Sequence, residues 1–558
     1  MRKRNTAAEG KWLHIVEKAA IGIFILIAFI AVGASTQNTS PTPATTLDAN
    51  IQATAYALPN NGWAPLTVYF SALGTSSPNG KIVRYEWDLD GNGSFETNAT
   101  SDGGYASYTY TKAREYAISM RATDASGIRA IATTTVNVRL PASSSVNYWS
   151  IFDDSRVGRV DITLNQTDWE KMWVDPISKY QAKADAVVFG TELKDVGFRM
   201  RGQFSLRNSG DKKPFKIDID AYIDGQEYKN LRQLMFLNSI GDPSLLNEKL
   251  AYELMAFSGL PASHVSFVEL WIDLRDDEQD PIYWGLYAMV ERVDNKYIAN
   301  RFTRDAKGGN LYKASHAQRG PMDLVYYGDD ISDYPTQDGS YAYGKMYNEE
   351  EADYSDIVSL CRIIDGADYE SEAAYINALE SAINVDSFLR YHAVNMLIDN
   401  WDSYLNTGNN FYLFNNPVSD RFEWIPWDLT WGGETSASLF TKSDFGMMES
   451  GAPMYDKTMA IKKYRLAYTA YLDLLTRNFF TTENMSAMIR RYHNQIAPYI
   501  KKSNGDKAFF GEEPMFDIHE FQDSPDALIQ FVSDRHAFAR TEISNEINRL
   551  LNQEEQSP

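Results

Sequence analysis

The sequence contains a single cysteine, Cys361, among its 558 residues. One cysteine excludes an internal disulfide framework and any zinc cluster built from thiolates. We interpret Cys361 as a small buried apolar side chain rather than as a nucleophile.

Positive charge is also scarce, because 53 lysines and arginines face 75 acids and leave a formal net charge of −22. Such an excess repels the phosphates of nucleic acids and anionic membranes, so a nucleic-acid partner is not expected. The chain is too long for a single hydrophobic core, and we therefore expect two or more domains.

The uncharged run at residues 19–34 is short for a membrane span, and it follows a cluster of lysines and arginines within residues 2–18. This charge order keeps the N-terminus inside and sends the remainder of the chain across. We predict a signal peptide or a signal anchor over residues 1–34, and the small residues before Ser35 leave both alternatives open. The protein is therefore expected to be secreted or anchored in the cell membrane by this one segment.

Residues 35–50 are rich in Ser, Thr, Pro and Ala, which is typical of a flexible linker. Residues 51–140 contain short β-branched and aromatic segments separated by turn residues, and they predict a small β-sandwich. This part is similar to a polycystic-kidney-disease (PKD) domain in "APLTVYFSA", "YEWDLDGNG" and "YTYTKAREYAISMRATDASG". The resemblance implies an immunoglobulin-like spacer or adhesion module without catalysis.

Within this segment, "DLDGNG" places Asp88, Asp90 and Asn92 at alternate positions, as in a calcium loop. The bidentate acid that an EF-hand needs at loop position twelve would fall on Ala99. The spacing allows a weak Ca²⁺ site, and a turn rich in solvated acids is the alternative.

After a second linker at residues 141–148, strand-like runs dominate to about residue 295, with one helix between them, and helical patterns dominate afterwards. Strands followed by helices predict an α+β domain with a helical C-terminal half over residues 149–555. One predicted helix begins at Asp386 as its capping acid. Its His392 is interpreted as a packed helix residue rather than a base.

Phosphoryl transfer needs a phosphate cradle, a fixed cation, acids that hold Mg²⁺ and a carboxylate near the acceptor hydroxyl. The polar loop from Arg201 to Gly210 lies between two strand-like runs, and its amides with Arg201 and Ser205 could contact phosphate oxygens. In the second run, Lys216 is positioned like a strand lysine that pairs with the phosphates of a nucleotide. A charged outer face of an edge strand is the alternative for Lys216.

A helix is predicted from the N-cap Asp242 and from Pro243 at its first position to Gly259 past its end. Glu248 and Glu253 lie off its apolar stripe, and either could pair with Lys216. Further along, a strand-like run leads through Met289 and Glu291 into a polar segment where an adenine could stack and bond the backbone.

Asp402 and Asp428 each follow a tryptophan, and they lie on either side of the strand-like "NNFYLF". Asn409 and Asn410 follow Asp402 at +7 and +8 and offer a second oxygen donor. Oxygen ligands without thiols fit Mg²⁺ rather than zinc.

From residue 149 onward the sequence resembles the CotH (spore coat protein H) family of atypical protein kinases. The resemblance rests on motifs in the expected order: "VGFRMRGQFS", "KKPFKIDID", "DPSLLNEKLAYELM", "WGLYAMVERVD", "GNLYKA", "NWDSY" with "NNFYLF", and "WIPWDLTWGG". It implies a distorted kinase fold that uses ATP and Mg²⁺ or Mn²⁺ to phosphorylate serine or threonine of extracytoplasmic proteins.

By the same resemblance, Asp402 is the catalytic-loop aspartate, Asp428 and Asn410 hold the metal, and Lys216 pairs with phosphate. A G-x-G-x-x-G loop is absent, with "RGQFS" in its place, and Thr430 stands where many members have another acid. The rival hypothesis is a catalytically inactive kinase-like scaffold for adhesion in the cell envelope or matrix.

Overall fold

The computed structural model describes residues 44–45, 47–48, 51–140, 148–208, 210–275, 280–302, 304–306, 308–315, 320–337, 340–366, 368–442, 451–500 and 518–552. Its α-helices are Gln166–Val174, Phe204–Asn208, Asn247–Phe257, Asn295–Arg301, Ser355–Cys361, Glu372–Ala382, Val385–Leu397, Tyr404–Thr407, Pro453–Ala460, Lys462–Asn478, Thr482–Ile500 and Ile518–Asn552. Short 3₁₀ or π segments are Tyr148–Phe152, Pro176–Ser178, Arg304–Ala306, Ile331–Asp333 and Arg362–Gly366.

The N-terminal part is a β-sandwich. One sheet contains Ala44–Thr45, Arg129–Arg139, Arg114–Asp124, Ile82–Asp88, Thr97–Asn98 and Asn61–Trp63, and the facing sheet contains Tyr56–Leu58, Leu66–Ser71 and Ala106–Tyr110. The pair Leu47–Asp48 and Ile51–Gln52 lies beside them. Alternate residues of the long strands are buried, as a half-buried sheet requires. The β-sandwich predicted over residues 51–140 is confirmed, but Ala44–Thr45 already pairs with Arg129–Arg139, so the predicted linker at 35–50 includes paired backbone.

Next along the chain, seven of the described strands close into a barrel. In spatial order they are Gly158–Leu164, Ala182–Val188, Thr191–Met200, Phe215–Asp218, Gln233–Leu237, Ile282–Val290 and Val265–Leu274. Neighbours are antiparallel except for the closing pair, in which Gly158–Leu164 runs parallel to Val265–Leu274. A separate apolar core fills the barrel. The prediction of strands with one helix between them was incomplete, because Gln166–Val174 and Phe204–Asn208 also form among these strands.

The C-terminal half is predominantly helical. It surrounds a four-stranded antiparallel sheet made of Gly344–Tyr347, Leu311–Lys313, Phe411–Asn416 and Arg421–Pro426, and the hairpin Thr336–Gln337 with Ser340–Tyr341 lies apart from it. A large apolar core joins these helices to the outer face of the barrel and to Tyr56 and Leu58 of the sandwich. An N-terminal β-sandwich followed by an α+β region with a helical C-terminal half is the fold class that the sequence predicted.

Two helix starts differ from prediction. The helix predicted from Pro243 begins at Asn247, since Leu245 adopts a left-handed conformation with φ of 60°. Asp242 still accepts hydrogen bonds from the backbone N–H groups of Ser244 at 2.9 Å and Asn247 at 2.8 Å. In the helix Val385–Leu397 the cap is Asn384, so the capping role predicted for Asp386 is wrong.

The predictions for Cys361 and His392 are confirmed. Burial raises the pKa of the Cys361 thiol to about 12, so the nucleophilic thiolate is disfavoured. His392 is 3% exposed and stacks on Tyr468 with ring centroids 5.1 Å apart. Desolvation lowers its pKa to about 3, which keeps it neutral inside the helical core.

Some predictions fall on residues that the structure leaves undescribed. The segment 1–34 and most of the two predicted linkers lie outside the described residues. Among the residues that are described, every helix is too short or too polar to cross a bilayer.

Candidate functional site

The loop after the helix Val385–Leu397 holds Asp402 in a fixed orientation. Its carboxylate accepts hydrogen bonds from the Thr407 hydroxyl at 2.8 Å, Asn409 Nδ2 at 3.2 Å and Asn410 Nδ2 at 2.8 Å. Asn410 also bonds the Asp402 carbonyl at 3.0 Å from a left-handed backbone with φ of 61°. Asp402 is therefore the acceptor of a side-chain network, as a carboxylate held for chemistry would be.

Asp428 follows the strand Arg421–Pro426 and also has a left-handed backbone, with φ of 52°. Its side chain reaches solvent, yet surrounding protein desolvates it and raises its pKa. A solvent-accessible carboxylate that is nevertheless desolvated lies in a concavity. The charge of Asp402 raises this pKa further, whereas Arg201 and Lys313 lower it. We refer to this concavity, in which the charges of Asp402, Arg201 and Lys313 act on Asp428, as the cleft.

Glu248 faces the same cleft from the helix Asn247–Phe257. Desolvation raises its pKa well above the usual value, the charge of Asp428 raises it further, and Arg201 opposes both. Its Oε1 atom is buried without a hydrogen-bond partner among the described residues. Tyr252, one helical turn later, accepts a 3.1 Å hydrogen bond from the backbone N–H of Asp428. One face of this helix therefore places the Glu248 carboxylate near Asp428 and the Tyr252 hydroxyl against the Asp428 backbone N–H.

The predicted pairing of Lys216 with a helix glutamate is not what the structure shows. Lys216 Nζ donates to Asp218 Oδ2 at 2.9 Å, because residues two apart on a strand share a face. Glu253 instead accepts from Lys249, one turn earlier on its own helix, and Glu248 lies near Asp428 and Arg201.

Cations line the barrel side of the cleft. Arg199 and Lys216 lie directly opposite each other on neighbouring strands, and the negative charge of Asp218 acts on both of them. Desolvation lowers the pKa of Lys216 to about 8, Asp218 opposes this, and Arg292 and Arg199 add to it. The charge of Arg201 acts both on Arg199 and on Asp428, so Arg201 is the cation that the two groups have in common.

Sequence reasoning missed two residues of the cleft, Tyr252 and Lys313. Lys313 Nζ lies 5.7 Å from the ring centroid of Tyr412 and 5.6 Å from that of Trp427, on the strand paired with Phe411–Asn416. Both missed residues lie inside the motifs "LAYELM" and "GNLYKA". A closer reading of those motifs could have identified them.

The predicted phosphate loop contains a short helix, Phe204–Asn208. Gly202 has φ of 91°, and a Cβ there would lie 2.6 Å from Ser205 Oγ, so the Ser205 hydroxyl lies against the Gly202 backbone. Ser205 is half-buried and remains a candidate for contacting phosphate.

The two candidate adenine contacts are placed elsewhere. Met289 is 0% exposed and belongs to the core inside the barrel, because alternate residues of its strand point inward. Glu291 is 1% exposed, pairs with Arg301 and accepts from the His264 backbone N–H at 3.0 Å. Burial raises the pKa of Glu291 to about 7. Neither side chain is open to the cleft, so these two assignments are corrected.

The donors in the cleft are carboxylate and amide oxygens, the chemical type that binds hard divalent cations. The charge of Asp428 raises the electrostatic cost of ionising Glu248, the charge of Asp402 does the same to Asp428, and a bound cation would relieve both costs. Asn410 donates its amide N–H group to Asp402, which leaves its amide oxygen available as a ligand. Oxygen donors of this kind suit Mg²⁺ or Mn²⁺.

The predicted weak Ca²⁺ site lies in a loop of the β-sandwich. The carboxylate of Asp88 accepts three backbone N–H groups, from Gly91 at 2.8 Å, Asn92 at 3.1 Å and Gly93 at 2.8 Å. Asp88, Asp90 and Glu96 offer carboxylate oxygens within 4.8 Å of one another. Glu96 was not predicted as a ligand, because the calcium-loop pattern was applied only to Asp88, Asp90, Asn92 and loop position twelve.

Residues 52–139 match the PKD domain, and residues 198–539 match the CotH kinase protein family. Invasin CotH3 of Rhizopus delemar is 20% identical over 274 residues, which are 47% of this chain and 43% of that protein. The chain thus matches less than half the length of this relative.

Among solved structures, the PKD1 domain of Vibrio anguillarum Epp is 26% identical and 96% covered, with a TM-score of 0.14 over 16% of this chain. A carbohydrate-binding module of the β-sandwich superfamily is 15% identical and 59% covered, with a TM-score of 0.16 over 31% of this chain. The CotH match covers more than half of the sequence and includes the cleft described above. The chain belongs to the CotH kinase protein family.

Proposed function

We propose that this protein transfers the γ-phosphate of ATP to serine or threonine hydroxyls of extracytoplasmic proteins, with Mg²⁺ or Mn²⁺ as the metal. The observation that carries the proposal is the electrostatic coupling of Asp402, Asp428, Glu248 and Arg201 across one cleft. Cations on the barrel side and carboxylates on the opposite side match the charges of a metal-bound triphosphate.

In the proposed reaction, Asp402 accepts a hydrogen bond from the acceptor hydroxyl and takes its proton. The acceptor oxygen forms a bond to the γ-phosphorus as the bond from that phosphorus to the bridging oxygen breaks, and ADP leaves with the bonding electrons. Thr407 and Asn410 hold the Asp402 carboxylate so that one geometry persists.

Arg201, Lys216, Lys313 and Arg292 would neutralise charge on the phosphate oxygens. Asp428 and Glu248 would bind the metal with the amide oxygen of Asn410. When bound, the metal would supply positive charge that offsets the negative charge of the phosphates. This assignment gives Glu248 a different role from the pairing with Lys216 that the helix pattern predicted.

The proposed site of action is outside the cytoplasm. A PKD domain and a relative named as an invasin support a secreted or surface protein. The predicted N-terminal signal segment supports the same location, and it would hold the protein at the membrane if uncleaved.

The test is incubation of the purified protein with radiolabelled ATP, Mg²⁺ and casein, or with itself as acceptor. Wild type should incorporate label, and Asp402→Asn and Asp428→Asn should not. Equal incorporation by all three proteins would reject the proposal. Mass spectrometry of the product separates phosphoryl transfer from nucleotidyl transfer, since one phosphate adds far less mass than a nucleotide.

A second candidate function is adhesion without catalysis, which the invasin relative and the β-sandwich favour. Thermal unfolding with ATP and Mg²⁺ separates the two. A ligand at ~100 times its Kd stabilises the folded state by about 2.7 kcal/mol, so a nucleotide binder shows a clear shift. An unshifted transition would favour the adhesion protein.

A further inference from the structure

The edge of the β-sandwich contacts the C-terminal end of the helix Asn247–Phe257, the helix that carries Glu248 and Tyr252. Asn61 Nδ2 donates a hydrogen bond to the carbonyl of Gly259, just beyond that helix end. Arg139 of the sandwich donates to Asn61 Oδ1 at 2.6 Å and so fixes the orientation of the amide.

A second connection runs through the helix Val385–Leu397. Asn60 Nδ2 donates to Asp386 Oδ2 at 3.1 Å, and Asp386 pairs with Arg390 at 2.6 Å. Arg390 NH1 donates to the carbonyl of Ser258 at 2.6 Å. Carbonyls at a helix C-terminus lack partners within the helix and favour a nearby cation. Two adjacent residues of the sandwich therefore satisfy this terminus, one directly and one through an ion pair.

The backbone has little conformational freedom at the C-terminal end of the helix Asn247–Phe257. Gly259 has φ of 74°, and a Cβ there would lie 2.8 Å from Arg390 NH1 and 3.3 Å from the Asn60 backbone nitrogen. Phe257 stacks on Phe479 with centroids 3.8 Å apart and contacts the ring of Tyr69 in the sandwich at 6.1 Å. The helix end is thus enclosed by sandwich and helical half together.

The contact is part of a wider interface. Tyr105 of the sandwich donates to Asp473 Oδ2 at 2.5 Å, and Asp473 is 0% exposed at its side chain. Tyr56 packs edge-on against Tyr471 with centroids 6.1 Å apart, inside the large core of the helical half. An independent spacer would not share a core with the domain beside it.

We infer that the β-sandwich is an intramolecular support for the cleft, with Asn60 and Asn61 as positioning residues. They hold the end of the helix Asn247–Phe257, and that helix sets the position of Glu248 and Tyr252 at Asp428. The support of the helix stands on the contacts alone, whereas its consequence for nucleotide binding rests on the proposed function.

The test uses the full chain and the variant Asn61→Ala, with Asn98→Ala as the matched control. Asn98 is exposed, and its side chain accepts only the local Thr100 N–H among the bonds described for it. Hydrogen exchange of amides 248–258 is measured in each protein. Loss of one anchoring hydrogen bond should speed exchange there by about fivefold. Asn98→Ala should exchange as wild type does.

A third variant, Tyr105→Phe, separates positioning from general loosening. It breaks the same interface near Asp473, and it should leave exchange of amides 248–258 unchanged. If Asn61→Ala leaves those amides within experimental error of wild type, or if Tyr105→Phe accelerates them equally, the inference is overturned. Should Asn61→Ala fail to fold, Asn61→Ser provides the same measurement with a milder change.

Binding of Mg-ATP, measured by calorimetry, gives the second readout. Asn61→Ala should weaken it about fivefold, by the same single hydrogen bond, and the two controls should not. Wild type that binds no Mg-ATP would reject the proposed function, while the exchange data would still decide the support of the helix. Unchanged affinity in Asn61→Ala beside accelerated exchange would overturn the link between support and cleft.

Discussion

The backbone N–H of Asp428 donates a hydrogen bond of 3.1 Å to the hydroxyl of Tyr252, 176 positions earlier in the chain. Tyr252 is 2% exposed, so the bond is shielded from water. Asp428 has a positive φ, a conformation that L-residues rarely adopt without such fixed partners. The helix beside the barrel and the loop after the last strand of the helical half are thereby joined at the candidate metal ligand.

Replacement of Tyr252 by Phe should therefore lower the free energy of unfolding by about 1–2 kcal/mol, because the Asp428 N–H loses its acceptor. It should also raise the Mg²⁺ concentration needed for half-maximal ATP binding. Chemical denaturation and Mg²⁺ titration measure the two effects. Tyr108→Phe removes an exposed hydroxyl of the sandwich and serves as control. A Tyr252→Phe protein indistinguishable from that control would contradict the prediction.

The substitution Asp428→Asn should lower the rate of phosphoryl transfer by about 100-fold or more. It should not lower the free energy of unfolding at pH 7. The folded-state pKa of Asp428 is raised, so its ionised form disfavours the folded state once the pH exceeds the unfolded pKa. An uncharged isostere removes that cost. The melting temperature of the variant, measured without metal, should equal or exceed that of wild type. A clear loss of stability would show that the ionised carboxylate is a structural partner.

The pKa of Lys216 predicts a pH dependence of nucleotide binding. Its folded-state pKa is lowered to about 8, so the free protein loses this positive charge as pH rises through 8. The lowered pKa also means that its effect on stability is unfavourable below pH 8 and is relieved between 8 and 10.5, where only the unfolded chain remains protonated.

Affinity for Mg-ATP should accordingly decline above pH 8 in wild type. Lys216→Arg keeps its charge throughout this range and should remove the decline. Calorimetric titrations at pH 7 and pH 9 provide the comparison. Parallel declines in both proteins would assign the effect to another group.

Gly259→Ala should destabilise the protein by about 2–3 kcal/mol, because strain from positive φ is added to displacement of Arg390. Gly127 has φ of 82° with nothing within 4 Å of an added Cβ. Gly127→Ala should therefore cost only about 1 kcal/mol. Denaturant melts of both variants test the difference, and equal costs would mean that Arg390 moves aside freely.

Calcium should stabilise the sandwich only at millimolar concentration, the range of weak extracellular sites. The ion has to compete with the three backbone N–H groups that Asp88 already accepts. Melting temperatures with Ca²⁺ and with a chelator measure the effect, and Asp90→Asn is the variant that should remove it. A shift at micromolar Ca²⁺ would show a better site than these residues suggest.

Sequence reasoning succeeded where short-range pattern decides structure. Alternation of apolar residues identified the sandwich strands and the strand of Phe215 and Ile217, both 0% exposed. It also predicted Leu246, Leu250, Leu254 and Phe257 as the apolar stripe beside Glu248 and Glu253, and the three leucines of that stripe are buried. The motifs around Asp402 and Asp428 pointed to residues that the fold brings to one cleft.

Sequence reasoning failed where the position of a side chain depends on which face of a closed barrel it occupies. Met289 lies inside the barrel, and no local pattern shows that this strand belongs to a closed surface with a core of its own. The support of the helix end by Asn60 and Asn61 was invisible for a similar reason, since its partners lie 198 and 326 positions away in the chain.

The sequence by itself determined the division into a β-sandwich and a kinase-like region, the helical C-terminal half and the acids of the cleft, because periodicity and motif order are local properties. Only the tertiary structure decided that Glu248 lies near Asp428 and that Lys216 pairs with Asp218. It also decided that the sandwich contacts the end of the helix Asn247–Phe257. Those choices depend on barrel closure and on contacts between distant segments, which are settled by packing rather than by sequence spacing.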